Sequence, residues 1–151
     1  MNMGKVLVIY HSQQMGYTKE LAEALAAGAR KASADVELIN TNERRVTLED
    51  LMSADAIAIG TPDYYGYLAG TIKTLFDDIY LWDKEGKSIT GKPAALFYSH
   101  GGGGTVRQSL EKFAKRFFKQ VGETVERGPS GAGEAKEKCL ALGRELALKA
   151  A

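Results

Sequence analysis

A single cysteine, Cys139, is all the thiol chemistry this sequence carries. No disulfide can close within the chain, a composition that suits a reducing, cytoplasmic compartment. Ala135, Cys139, Leu142 and Leu146 recur at helical spacing, which gives the thiol a packing role. With His11 and His100 as the only histidines, a zinc site of the usual Cys/His kind cannot be assembled, and spacing supports no Ser-His-Asp arrangement. No apolar run approaches the roughly 20 residues of a membrane span, and the short run after Lys5 falls short of a signal peptide. Neither sign of charge dominates: 20 Lys and Arg stand against 19 Asp and Glu. The chain therefore lacks the field that favours nucleic acid or an anionic membrane, and lacks the acidic excess of a carrier that docks on basic partners. Also missing are internal repeats, an inter-domain linker, and both common phosphate motifs, G-x-G-x-x-G and G-K-[ST]. ATP and NAD as tightly held cofactors lose their sequence support. What remains suits one domain over 1–151, a length that buries roughly 70% of the unfolded surface.

What is present is organised around Val6 to Thr18, VLVIYHSQQMGYT. Val6 to Tyr10 reads as a short strand buried on both faces. A polar loop containing Gly16 follows, and then a helix on which Leu21, Ala22, Leu25, Ala26 and Ala29 share one face. Loop amides and the unpaired first N–H groups of a helix converge on whatever occupies such a loop, and phosphate is the natural guest. Ser12, Gln13, Gln14, Tyr17 and Thr18 offer hydroxyls and amides, with no lysine or arginine among them. A phosphate here is held mainly by neutral donors.

Further strands are expected at Asp35 to Ile39, Ala54 to Gly60, Pro93 to Tyr98 and Val121 to Val125. Helices are expected at a short segment capped by Thr47, and at about Leu68 to Tyr80, Thr105 to Lys119 and Glu134 to Lys149. Five alternations of strand and helix predict a parallel sheet covered on both sides. In such sheets ligands bind outside the C-terminal ends of the strands. Three unusual loops emerge at that edge. The first is the phosphate loop. The second, Thr61-Pro62-Asp63-Tyr64-Tyr65-Gly66-Tyr67, offers flat aromatic surface from Tyr64, Tyr65 or Tyr67, and the third, Ser99-His100 followed by Gly101, Gly102, Gly103 and Gly104, offers open backbone amides. Four ordered glycines cost roughly 0.5–1 kcal/mol each relative to alanine, which points to close backbone approach there. The three loops describe a pocket for a phosphate tethered to a large flat heterocycle, and FMN fits.

With these three loops in this order, the sequence resembles the flavodoxin-like family over essentially its full length. The resemblance is closer to the branch of NAD(P)H-dependent FMN reductases and NAD(P)H:quinone oxidoreductases. Ser12, Gly16 and Thr18 match the first family loop, with Tyr17 where asparagine is usual and one more residue between Ser12 and Gly16 than in its shortest form. GTPDYYGYLAGTIKTLFDD resembles the second loop and its helix, and FYSHGGGG the glycine-rich third. The resemblance implies a three-layer α/β sandwich, a five-stranded parallel sheet of order 2-1-3-4-5 with helices on both faces. It implies that Ser12, Gln13, Gln14, Met15, Gly16, Tyr17 and Thr18 hold the phosphate and that Thr61 and Pro62 to Gly66 border the ring. Ser99 to Gly104 would supply amides.

The activity this implies is transfer of hydride from NADH or NADPH to FMN and of electrons onward to a quinone or another small acceptor. The flavin does that chemistry, so no protein acid or base is obligatory. His100 is the candidate for a hydrogen bond to flavin or acceptor, Asp63 either meets the ring edge or starts a turn, and His11 is expected to be structural. The alternatives are a flavodoxin-type one-electron carrier and a flavin-binding module without turnover. A homodimer or higher homo-oligomer stays open, because long inserts found in some relatives are missing. A phosphorylation receiver is set aside, since its acidic positions hold His11 with Ser12, and Gly60 with Thr61.

Overall fold

The computed structural model describes residues 4–13 and 15–151; Gln14, expected in the phosphate loop, lies outside them. In chain order the elements are β1 (Lys5–Tyr10), α1 (Tyr17–Lys31), β2 (Asp35–Asn40), α2 (Leu48–Met52), β3 (Ala56–Pro62) and α3 (Gly70–Lys84). There follow β4 (Pro93–Ser99), α4 (Val106–Phe117), β5 (Lys119–Gln120), β6 (Val125–Arg127) and α5 (Gly133–Ala150). Every strand pairing is parallel, and the sheet order is β2-β1-β3-β4-β5, with β6 also paired to β4. This is the expected 2-1-3-4-5 order. Among the described residues no helix is long and apolar enough to cross a membrane.

Side chains alternate between the two faces of each strand, so one sheet feeds two cores. Leu7, Ile9, Ile57, Ile59, Leu96 and Tyr98 point to the α2/α3/α4 side, against Leu51, Ile72, Phe76, Ile79 and Leu110. Val6, Val8, Ala56, Ala58, Ala95 and Phe97 point to the other side, against Leu21 and Leu25 of α1 and Cys139, Leu142 and Leu146 of α5. Burial pushes the Cys139 thiol up to about 12, which keeps it protonated and inert. Thr47 caps α2 as expected: its hydroxyl accepts from the Asp50 N–H while the Asp50 carboxylate accepts from the Thr47 N–H.

The fifth strand departs from expectation. Val121 to Val125 is not one strand but the break between two. Lys119 and Gln120 pair with Pro93 and Ala94; Val125, Glu126 and Arg127 pair with Phe97, Tyr98 and Ser99. Five steps along the edge thus match three along β4, and Gly122, at φ +66°, turns the surplus residues out of the ladder. The slip sets Arg127 level with Ser99, at the sheet's C-terminal edge.

Helices α1 and α5 touch backbone to backbone. A methyl group on Gly143 would overlap the Leu25 carbonyl oxygen, and one on Gly28 would overlap the Leu140 carbonyl oxygen. Alanine gains about 0.5–1 kcal/mol over glycine inside an exposed helix, but here it must separate two helices, at a cost of about 1–3 kcal/mol or more. Gly143→Ala is therefore expected to lower stability in urea unfolding; an unchanged or raised midpoint would show that the helices do not meet this closely.

Candidate active site at the strand ends

The first loop is clamped by a residue whose role the sequence did not reveal. Asn40, the last residue of β2, accepts from the Ser12 N–H through Oδ1 at 3.1 Å and donates to the Ser12 carbonyl through Nδ2 at 3.2 Å. Behind the loop, the buried hydroxyls of Thr18 and Ser99 share a hydrogen bond of 2.9 Å, tying α1 to the end of β4. Gly16, at φ +71°, is the residue from which α1 starts, and among the described residues no side chain caps the helix. The first-turn N–H groups are thus left to an exogenous acceptor, at the positive end of the helix dipole.

A cavity of about 330 Å³ opens there. Ser12, Gln13, Met15, Gly16, Tyr17 and Thr18 form one end; Pro62, Asp63, Tyr64, Ser99, His100 and Gly101 form the other, joined by Pro129. The structure therefore brings members of all three expected loops to one space. Of the three tyrosines offered as ring surface Tyr67 does not line it, and neither do six of the residues expected to hold the cofactor. Thr61 is fully buried with its hydroxyl spent on the Pro62 carbonyl and the Ala69 N–H, Tyr65 is fully exposed at φ +57°, and Gly66 is turned into the wall. Gly102, Gly103 and Gly104 run past the cavity rather than along it. Gly104, at φ +76°, passes so close to Glu126 that a β-carbon would lie 2.8 Å from the carboxylate.

Asp63 both starts a turn and bridges two loops. Its Oδ1 accepts from the Gly66 N–H at 2.6 Å and its Oδ2 from the Val106 N–H at 3.1 Å, so one carboxylate fixes the second loop against the start of α4. Tyr64 stays half exposed over the cavity, edge-on to His11 at 5.8 Å between ring centroids. His100 is engaged at both nitrogens: Nδ1 accepts from the Gly102 N–H at 3.0 Å, and Nε2 lies 2.9 Å from Glu126 Oε1. The same carboxylate oxygen accepts from the Tyr98 hydroxyl at 2.9 Å. Burial, then Glu126, pushes that phenol up to about 12. Sequence reasoning missed Asn40, Glu126, Arg127 and Pro129. Pro129 was within reach, because the loop after the fifth strand obeys the same edge rule as the other three.

His11 is buried beside the cavity. Its Nδ1 shares a 2.6 Å hydrogen bond with the Thr71 hydroxyl, which in turn meets Thr41 at 2.7 Å, while Nε2 has no hydrogen-bond partner among the described residues. Desolvation lowers its pKa below the ordinary 6.5. A folded state that disfavours the proton is most stable relative to the unfolded chain above pH 6.5 and loses that advantage as pH falls toward the depressed folded value. The loss is at most about 1.4 kcal/mol per pH unit for one proton. His11→Gln should therefore flatten the decline in unfolding free energy between pH 7.5 and 5.5; parallel pH profiles would show that His11 titrates alike in both states.

With this geometry in view, comparison with known proteins is specific. A family model described as NADPH-dependent FMN reductase matches residues 4–125. A flavodoxin of Aquifex aeolicus (strain VF5) is 37% identical over 96% of this chain and 86% of its own length. An NAD(P)H dehydrogenase (quinone) of Methanosarcina barkeri is 32% identical over 66% of this chain, and the match spans 60% of that relative. Among solved structures, oxidised flavodoxin 1 from Bacillus cereus superposes with a TM-score of 0.76 at 26% identity, over 94% of this chain and 96% of that one.

Proposed function

The chain belongs to the NADPH-dependent FMN reductase family of flavodoxin-like, FMN-binding oxidoreductases, and on that premise we propose that it passes electrons from NADH or NADPH through FMN to a quinone or similar small acceptor. One observation carries the proposal. A single cavity joins the uncapped start of α1 to a wall formed by Pro62, Tyr64, Ser99, His100 and Gly101. Phosphate at the first end and a planar ring at the second is the arrangement those donors suit.

The residues present fit FMN, which when bound supplies the hydride- and electron-accepting chemistry. The chain's own residues hold and shape. The loop from Ser12 to Thr18 and the first turn of α1 hold the phosphate, with Asn40 fixing the loop's approach. Asp63 keeps the second loop seated so that Pro62 and Tyr64 border the ring. His100, held by Glu126 and itself holding the Gly102 N–H, fixes the course of the third loop and presents its ring to the cavity.

The test is the absorption spectrum of the FMN-reconstituted protein, kept free of oxygen, as NADH and then NADPH is added. Prompt loss of the oxidised flavin bands is expected with at least one of them. Bound flavin that stays oxidised would favour a one-electron carrier instead, a reading the flavodoxin-named relative at 37% identity supports. His100→Ala should slow acceptor reduction by about tenfold or more by loosening the third loop; an unchanged rate with FMN bound would remove His100 from the site's working parts.

A further inference from the structure

The expected phosphate loop contains no cation, yet the structure places one beside it. Arg127, from β6, is 7% exposed, and its guanidinium lies 3.8 Å from the centroid of the Tyr17 ring, which itself lines the cavity. We propose that Arg127 is a positioning residue for the phosphate end of the site, supplying the charge the loop lacks and making the site select a flavin with a terminal phosphate over the same ring without one. The proposal rests on the FMN reading above.

Two observations point to an anion. The first is that the arginine is under-paired. A guanidinium does not discharge itself by losing a proton, so burying one is costly unless its donors are met. Here Nη1 donates to the Gly128 carbonyl at 3.1 Å, whereas Nε makes no hydrogen bond among the described residues. The facing carboxylate oxygen, Glu20 Oε1, stands 3.8 Å from Nε and is itself buried without a hydrogen bond among the described residues. The second is where the charge lies. Tyr17 and Glu20 belong to the first turn of α1, where the dipole is positive and no side chain among the described residues caps the N–H groups. Placing a cation there opposes the dipole, and Glu20 offsets it through an ion pair at 3.8 Å that makes no hydrogen bond. A phosphate dianion at the helix start satisfies dipole and guanidinium together. Tyr17 is the intermediary: stacked on Arg127 and facing the cavity, it couples the cation's position to the loop's. Glu20 is then a competitor for the same charge.

The experiment measures dissociation constants of FMN and riboflavin by flavin fluorescence quenching, at low and high salt, for wild type, Arg127→Gln and Glu20→Gln. Arg127→Gln is expected to weaken FMN by about tenfold or more while leaving riboflavin unchanged, and to reduce the salt dependence of FMN binding. Glu20→Gln is expected to tighten FMN severalfold, again without moving riboflavin. Equal losses for both flavins in Arg127→Gln, or an unchanged FMN-to-riboflavin ratio, would reduce Arg127 to a structural residue and overturn the proposal. Should Arg127→Gln not fold, Glu20→Gln decides by the same ratio. A wild type that binds neither flavin overturns the FMN reading itself, an outcome separate from FMN binding with a ratio the variants do not shift.

Discussion

A parallel sheet forces its chain to make every return trip through a helix, so all the loops that follow strands must come out at one edge. That constraint organises this molecule. Ser12, Pro62, Ser99 and Pro129 are far apart in sequence, yet each follows or ends a strand running in the same direction, and each reaches the same cavity. The cross-links at that edge are short and polar: Thr18 to Ser99, Asn40 to Ser12, Asp63 to Val106. They are made between loops that the sheet has already brought together.

The two faces of the sheet achieve their packing differently. On the α3 and α4 side, large side chains such as Phe76 and Tyr98 fill the space. On the α1 and α5 side, alanines in β3 and β4 and glycines in both helices let the backbones approach, with Phe97 lying in the room left by Gly60. The close side is also the side from which α1 aims its first turn at the cavity. Tight packing there leaves the helix little freedom to tilt, which holds its N–H groups in a fixed direction.

Much of this was legible in the sequence because it rests on period and punctuation. The apolar run Val6 to Tyr10, the face of Leu21 and Leu25, and the capping Thr47 each carry a local signal that the fold obeys. What escaped was whatever depends on register between distant segments. Nothing local in Val121 to Val125 announces that Gly122 will eject residues from the ladder, and the positions of Glu126 and Arg127 follow from that slip. The glycine run showed a similar limit. Its composition pointed to close approach, and the approach exists, but at Gly104 it is to Glu126 rather than to the cavity. Asp63 had two readings from sequence, and only the folded chain shows it fastening two loops with one carboxylate.

The broken edge strand has a further consequence, for how copies of the molecule meet one another. An open sheet ends in unpaired N–H and carbonyl groups that can recruit another chain's strand, and growth by that route leads to aggregation. Here one rim is cut into segments of two and three residues with a turn between them, too short and too kinked to template a continuous ladder. The opposite rim, β2, carries Asp35 and Glu37, with Lys5 and Arg44 paired to Glu37 alongside. Charge guards one margin and irregularity the other, so the register slip that sets Arg127 against Tyr17 also helps keep a small open sheet from being extended by its neighbours.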